Sequence, residues 1–275
     1  MPELPEVETT RRGIDAVATG QRLIRMVIHE SRMRWPIPAD LPAQVEGQIV
    51  LACRRRGKYL LVEFDTGTML IHLGMSGSVR NVLAGELLRK HDHVEWQFAC
   101  ATLRLHDPRR FGAVLWHPGQ DGPVALHPLL QKLGIEPFDE KFDATWLHTG
   151  LSGRKMPIKQ ALLAGDVVVG VGNIYASESL FRARIHPKAA SGKLSRSRCQ
   201  RLVNAIRTTL ADALDSGGST LRDYVNASGE PGAYFTLHAG VYERQGEPCR
   251  VCGTPIKRIV QGQRATYFCP TCQKS

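Results

Sequence analysis

Nowhere in the 275 residues is there a run of about 18 apolar side chains, the least a bilayer-crossing helix requires. The opening Met1-Pro2-Glu3-Leu4 has neither the cationic start nor the apolar middle of a secretory signal. Internal repeats and low-complexity tracts are also missing. Cysteine is scarce and odd in number, seven in all, a poor basis for a secreted disulfide framework. Four of the seven fall in two pairs near the end, which suits metal ligation in a reducing compartment. These absences lead us to expect a soluble, intracellular chain with no membrane partner.

What is present is a sizeable apolar fraction, 43%, and an excess of positive charge, +10 formally. The first supplies a core for one large or two ordinary domains, and the second biases the partners toward polyanions. The charge is unevenly placed. Residues 1–151 carry 18 Lys+Arg against 18 Asp+Glu, whereas residues 152–275 carry 18 against 8. A neutral half and a basic half suggest a molecule built in two pieces.

Element signals divide the chain similarly. Pro5 to Ala18 has acidic residues first, basic ones later and Gly20 just beyond, an order that suits a helix dipole and its stop. Short runs rich in Val, Ile, Leu and aromatics then predict strands at Leu23–His29, Gln48–Cys53, Tyr59–Phe64, Met69–Leu73, His93–Ala99, Leu103–His106 and Ala113–Trp116. Many short strands at close spacing imply a sandwich or barrel. After Pro137 the pattern becomes helical, at Lys141–Thr149, Pro157–Ala164, Asn173–Ala183 and about Ser197–Ser216. The last repeats Leu202, Ile206, Leu210 and Leu214 every four residues, with Ser197-x-x-Gln200 as a capping box and Gly217-Gly218 as its stop. Asn226–Gly240 reads as a long loop.

The strongest local motif is Cys249-x-x-Cys252 with Cys269-x-x-Cys272, separated by sixteen residues. Two such knuckles at the ends of a hairpin bring four thiolates to one tetrahedral zinc. Four ligands close the site, so one structural Zn2+ is expected to replace the core that so short a segment cannot build. The hairpin, Pro255–Val260 and Arg264–Phe268, would present Lys257, Arg258 and Arg264 to phosphates or, more plainly, to water.

At the other end, a penultimate proline permits removal of Met1 and would leave Pro2 with a free secondary amine. An α-amino group titrates near ~8 against ~10.4 for lysine, so more of it is unprotonated at neutral pH. Attack on an aldehyde-level carbon would give a cationic iminium, and Glu3 and Glu6 stand close enough in sequence to move protons. Proline and glutamate in the first turn of a helix are also simply good helix starters.

Met1-Pro-Glu-Leu-Pro-Glu-Val-Glu-Thr, Arg56-Gly-Lys-Tyr-Leu-Leu, His72-Leu-Gly-Met-Ser-Gly, Lys90-His-Asp-His-Val, Asp107-Pro-Arg-Arg-Phe-Gly and Val169-Gly-Val-Gly-Asn-Ile-Tyr-Ala-Ser-Glu run the length of the chain in order. With the terminal finger they resemble bacterial formamidopyrimidine-DNA glycosylase. The resemblance implies an α+β multidomain fold. Residues 1–135 would form an N-terminal helix on a two-sheet β sandwich, 136–240 a helix-two-turn-helix domain with a lesion-closing loop, and 241–275 the four-cysteine zinc finger. DNA would cross the cleft between the parts.

It further implies a bifunctional glycosylase and AP lyase of base excision repair, acting on oxidised purines in damaged double-stranded DNA. Pro2 matches the nucleophile that becomes a Schiff base, Glu3 the general acid, and Glu6 a supporting carboxylate. Lys58 matches the proton donor in β-elimination and Arg264 the residue of δ-elimination. As residues, Arg54, Arg55, Arg56 and Lys58 would serve equally as a phosphate-facing run. A base inside a duplex must be flipped out and its space filled. Met75, Arg109 and Phe111 match the inserted side chains, although from sequence alone Met75 and Phe111 read as core. Lys155, Asn173 and His91 match DNA contacts, Asn173 within the Gly170-Val-Gly-Asn173 turn. Residues 221–240 match the loop closing over the flipped purine. His91-x-His93 fits no familiar metal spacing, so surface contact or a satisfied strand histidine is the expectation. No redox or nucleotide cofactor is implied, and a monomer in the bacterial cytoplasm is expected. Two rival readings stay open here, the sister class acting on oxidised pyrimidines and a non-enzymatic zinc-finger DNA binder.

Overall fold

The computed structural model describes residues 2–83, 85–219 and 232–274. The chain divides into two compact units, residues 1–131 with 216–233 and residues 132–215 with 234–275.

The first unit begins with helix α1 (Leu4–Ala18), which has Pro5 in its first turn and ends before Gly20 in the left-handed region. Strand β1 (Arg25–Ile28) and the short helix α2 (Leu41–Val45) follow. Then come β2 (Ala52–Arg56), β3 (Tyr59–Phe64), β4 (Gly67–His72), β5 (Ser78–Val82), β6 (Asp92–Gln97), β7 (Thr102–His106) and β8 (Ala113–Pro118). They form two four-stranded antiparallel sheets, in the orders β1-β6-β7-β5 and β2-β3-β4-β8. The expected sandwich is therefore present. A core cluster includes Val62, Ile71, Val79, Trp96 and Leu105, and α1 contributes Val7 and Ile14 to it. Each such side chain stabilises by roughly 1.5–3 kcal/mol relative to exposure.

Two strand expectations need correction. Residues 48–51 lie outside the regular strand, and β2 runs on through the arginines to Arg56. It can do so because Arg54 pairs with Glu63 at 2.8 Å and Arg55 with Glu8 at 3.2 Å. Strand β5 has no counterpart among the expected strands. Its Ser-Val-Arg-Asn-Val sequence has a charged residue at the centre, yet Arg80 is buried and pairs with Asp92 at 3.1 Å and Glu86 at 2.9 Å.

The second unit holds helices α3 (Ala144–Leu151), α4 (Ile158–Ala164), α5 (Asn173–Arg182), α6 (Arg196–Asp215) and α7 (Tyr234–His238), then a hairpin of β9 (Lys257–Gln261) and β10 (Arg264–Phe268). Helix α3 begins three residues later than the expected Lys141, because the Asp143 carboxylate accepts the Trp146 N–H at 2.7 Å and so sets the first turn. Leu202, Ile206 and Leu210 are buried along α6 as the periodicity requires. The helix starts at Arg196, however, and it is the Ser195 hydroxyl that accepts the Arg198 N–H, at 3.4 Å, in place of a box on Ser197. Part of the expected 226–240 loop is also helical. Tyr234 anchors α7, fully buried with its ring 5.2 Å from that of Tyr175. Residues 226–231 lie outside the described residues.

Candidate functional site

The start of α1 is unusually burdened with buried polarity. Pro2 is buried, and Glu3 and Glu6 are each only 1% exposed. Glu6 Oε2 accepts the Glu3 N–H at 2.8 Å, while its Oε1 accepts both the Ser219 N–H at 2.7 Å and the Ser219 hydroxyl at 2.8 Å. One carboxylate thus fixes the backbone beside Pro2 to Ser219, which itself bridges Ala233. The expected closing loop runs from 221, and its residues 221–231 lie outside the described ones.

Lys58 sits with Gly57 in the two-residue turn that closes the β2–β3 hairpin, where Arg56 faces Tyr59. Gly57 adopts φ +58, a conformation that costs glycine nothing. Of the four neighbouring cations, Arg54 and Arg55 are committed to Glu63 and Glu8. His72, at the end of β4, packs against Tyr59 with ring centroids 4.8 Å apart and planes tilted by 48°, and its Nδ1 accepts the Gly74 N–H at 3.0 Å. Burial pushes its pKa down to about 4, and the positive charges of Lys58 and Arg34 act in the same direction.

The three side chains expected as wedges come together on one surface. Met75 is 41% and Phe111 43% exposed, and the Arg109 guanidinium lies over the Phe111 ring at 4.8 Å. Neither apolar residue belongs to the core that sequence alone suggested. Asp107, fully buried, organises the group. Its Oδ1 accepts from Ser76 Oγ at 3.1 Å and Arg109 N–H at 3.3 Å, and its Oδ2 accepts from Gly112 N–H at 2.8 Å. Gly74 permits the close approach, since a Cβ there would lie 2.5 Å from both Phe111 C and Gly112 N. His91 is partly exposed at φ +77, and neighbouring rings of His93 and His106 lie 6.1 and 6.2 Å away. His93 is the satisfied strand histidine, buried with Nε2 2.9 Å from Asp107 O.

In the second unit, Lys155 is exposed between α3 and α4, and Arg264 is exposed at the start of β10, as are Lys257 and Arg258 on β9. Asn173 opens α5. Its Oδ1 accepts from Lys159 Nζ at 2.7 Å, and its Nδ2 donates to Tyr242 Oη and Ala265 O, each at 3.1 Å. An amide has two hydrogens, and both are engaged within the unit. Lys159, 1% exposed, also donates to Ala265 O at 3.1 Å and Thr266 Oγ1 at 2.8 Å. Glu178 accepts the N–H groups of Gly240, Val241 and Tyr242 at 2.7 to 3.0 Å. Burial pushes its carboxyl up, against the three N–H donors that favour the charged form. Sequence reasoning misses His72, Lys159, Glu178 and Tyr242 as site residues. Glu178 stands inside the quoted Ala-Ser-Glu motif, but nothing in that spacing signals a carboxylate that collects three distant amides.

The sulfur atoms of Cys249, Cys252, Cys269 and Cys272 all lie within 4.8 Å of one another. Cys249 and Cys272 are 4.0 Å apart, and Cys252 and Cys269 3.5 Å. A ZnS4 tetrahedron with bonds of about 2.3 Å has edges of roughly 3.8 Å, so the cluster fits one zinc ion. Val241, Ile256, Phe181 and Tyr267 pack around it.

These parts, a buried acidic helix start on a sandwich, a helical unit and a four-thiolate hairpin, are each matched by a domain of the DNA glycosylases of the helix-two-turn-helix class. Family models match accordingly: the formamidopyrimidine-DNA glycosylase N-terminal domain over residues 1–114, the H2TH domain of the same enzymes over 133–225, and the zinc finger found in FPG and IleRS over 246–274. The chain is 70% identical to the formamidopyrimidine-DNA glycosylase of Bordetella petrii and 59% identical to that of Burkholderia multivorans, each over all of both chains. Among solved structures it is similar to a single-residue mutant of Lactococcus lactis FPG in complex with a Fapy-dG-containing DNA, at TM-score 0.92 and 34% identity over all of both chains. The L. lactis Fpg complex with an abasic-site DNA matches at TM-score 0.91 and 34% identity, over 99% of this chain and all of that one. The chain belongs to the formamidopyrimidine-DNA glycosylase family of DNA-repair enzymes, and its four cysteines form a structural zinc site. No helix among the described residues is long and apolar enough to cross a membrane.

Proposed function

We propose that the protein is a bifunctional glycosylase and AP lyase that removes oxidised purines from double-stranded DNA, 8-oxoguanine and formamidopyrimidines among them. The observation that carries this reading is the α1 start, where Pro2, Glu3 and Glu6 are buried together and Glu6 clasps the backbone between them. Once Met1 is removed, the Pro2 amine attacks C1′ of the flipped nucleotide and the N-glycosidic bond breaks. Glu3 delivers a proton as the sugar ring opens, and the amine and C1′ end as an iminium. That cation acidifies C2′; as water takes the C2′ proton the 3′ phosphate leaves in β-elimination with Lys58 as proton donor, and loss of the C4′ proton to water then expels the 5′ phosphate in δ-elimination assisted by Arg264. Glu6 holds Glu3 and Pro2 in register.

Met75, Arg109 and Phe111 enter the space left by the flipped base, two apolar wedges with one guanidinium to pair with the widowed partner. His91 and Lys155 contact the backbone, and Asn173 supports that grip from the start of α5. The parts working in this way are residues 1–135, 136–240 and 241–275, in a monomer of the bacterial cytoplasm.

Borohydride reduction during turnover of an 8-oxoguanine duplex tests the chemistry. A covalent complex whose peptide map places DNA on Pro2 is expected, and a cross-link on a lysine would overturn the mechanism. Retaining one extra residue before Pro2 should abolish strand cleavage and leave DNA binding intact.

A further inference from the structure

Arg55 lies at the junction of the two elements that carry the proposed nucleophile and the proposed elimination residue, and only 12% of its side chain is exposed. Its Nε donates to Glu8 Oε2 at 3.2 Å, and its Nη1 donates to Gly57 O at 2.9 Å. Glu8 stands in α1, just over one turn beyond Glu3. Gly57 is the residue before Lys58 in the tight turn closing β2 and β3. One planar guanidinium therefore spans from the helix that begins at the catalytic end to the peptide that aims Lys58. Arg11 adds a parallel tie to strand β2, donating from Nη1 to Cys53 O at 3.1 Å and from Nε to Glu8 Oε1 at 3.1 Å.

We propose that Arg55 is a positioning residue for strand cleavage, setting the Lys58 amine relative to the α1 start through the Glu8–Arg55–Gly57 strut. This rests on the reading of Lys58 as the β-elimination proton donor. The strut has a geometric reason to matter. A two-residue turn can pivot about its glycine, and holding the carbonyl that precedes the lysine limits that pivot. Only arginine has the fixed fork of donors that reaches both acceptors at once; lysine offers a single ammonium in place of that fork.

The test is a double-mutant cycle between R55K and K58A, reading two rates separately: base release from an 8-oxoguanine duplex, and strand cleavage at a preformed abasic site. R55K keeps a positive charge beside Glu8 and should unfold at the wild-type temperature; R55M serves as the second variant if it does not. On the order of a tenfold loss in strand cleavage is expected for R55K, as for a small displacement of a catalytic group, with base release changed by less than about threefold. In the K58A background R55K should cost little more, because both act through one amine. Multiplying effects, or equal losses in both rates, would overturn the role of Arg55. Unchanged strand cleavage in K58A alone would instead overturn the reading of Lys58, so the two failures are distinguishable.

Discussion

His72 is a neutral histidine among cations. An unfolded histidine titrates near 6.5, whereas this one is pushed down to about 4. Between those values the unfolded chain takes up a proton that the folded chain refuses, so stability is complete above pH 6.5 and is lost as pH falls toward 4. The difference amounts to about 3 kcal/mol. His72→Asn, which can still accept the Gly74 N–H, should flatten this part of the stability curve, measured by denaturant unfolding at pH 7 and pH 4.5. An unaltered slope would remove His72 as its source. Neither this property nor the buried Lys159 is legible in sequence. A histidine after Ile71 and a lysine after Ile158 say nothing of the rings, carbonyls and hydroxyls that other parts of the chain bring to them.

Elements are read more easily than their ends. The four-residue rhythm of α6 is a local property of the chain and survives intact in the buried stripe. Its first turn is a competition between Ser195 and Ser197, two residues of the same chemistry, and the structure awards the Arg198 N–H to Ser195. Ser195→Ala should therefore cost about 1 kcal/mol and Ser197→Ala only a few tenths, measured as thermal or denaturant unfolding. The reverse order would restore the cap to Ser197. Strand β5 shows the same limit in another form. Arg80 at the centre of a five-residue run argues against a strand until Asp92 and Glu86, more distant in sequence, supply its charge partners. Gly74 stands inside the His72-Leu-Gly-Met-Ser-Gly motif, but its need for glycine comes from the backbone of Phe111 and Gly112 across the turn.

For the molecule taken together, the division of charge now has occupants. Exposed Lys155, Lys257, Arg258 and Arg264 lie in the basic half, while Glu3 and Glu6 are buried in the neutral half. Counterion release makes DNA affinity fall with salt in proportion to the phosphates contacted. Lys155→Gln should reduce the slope of log affinity against log salt by about 1, and Glu3→Gln should leave the slope unchanged while abolishing base release. Equal slopes for wild type and Lys155→Gln would place Lys155 off the phosphate path. The zinc site gives a second test, because four-thiolate modules fold on their metal. Chelating the zinc, or Cys249→Ser, should unfold the β9–β10 hairpin and weaken DNA binding together, followed by circular dichroism and a filter-binding titration.

Residue type and spacing suffice for the sandwich-then-helices order, the four zinc ligands and, through the order of the motifs, the family. All of these are local properties of the chain. It takes the folded molecule to show that Met75 and Phe111 stand on the surface beside Arg109, that Glu6 ties the α1 start to Ser219, and that Arg55 links Glu8 to the Lys58 turn. Most of these contacts join residues far apart in the chain, where burial and hydrogen-bond satisfaction choose among partners that spacing leaves equivalent. The positive charge divides in the same way: its sum is legible from a count, and its placement on exposed strand and loop positions comes only with the fold.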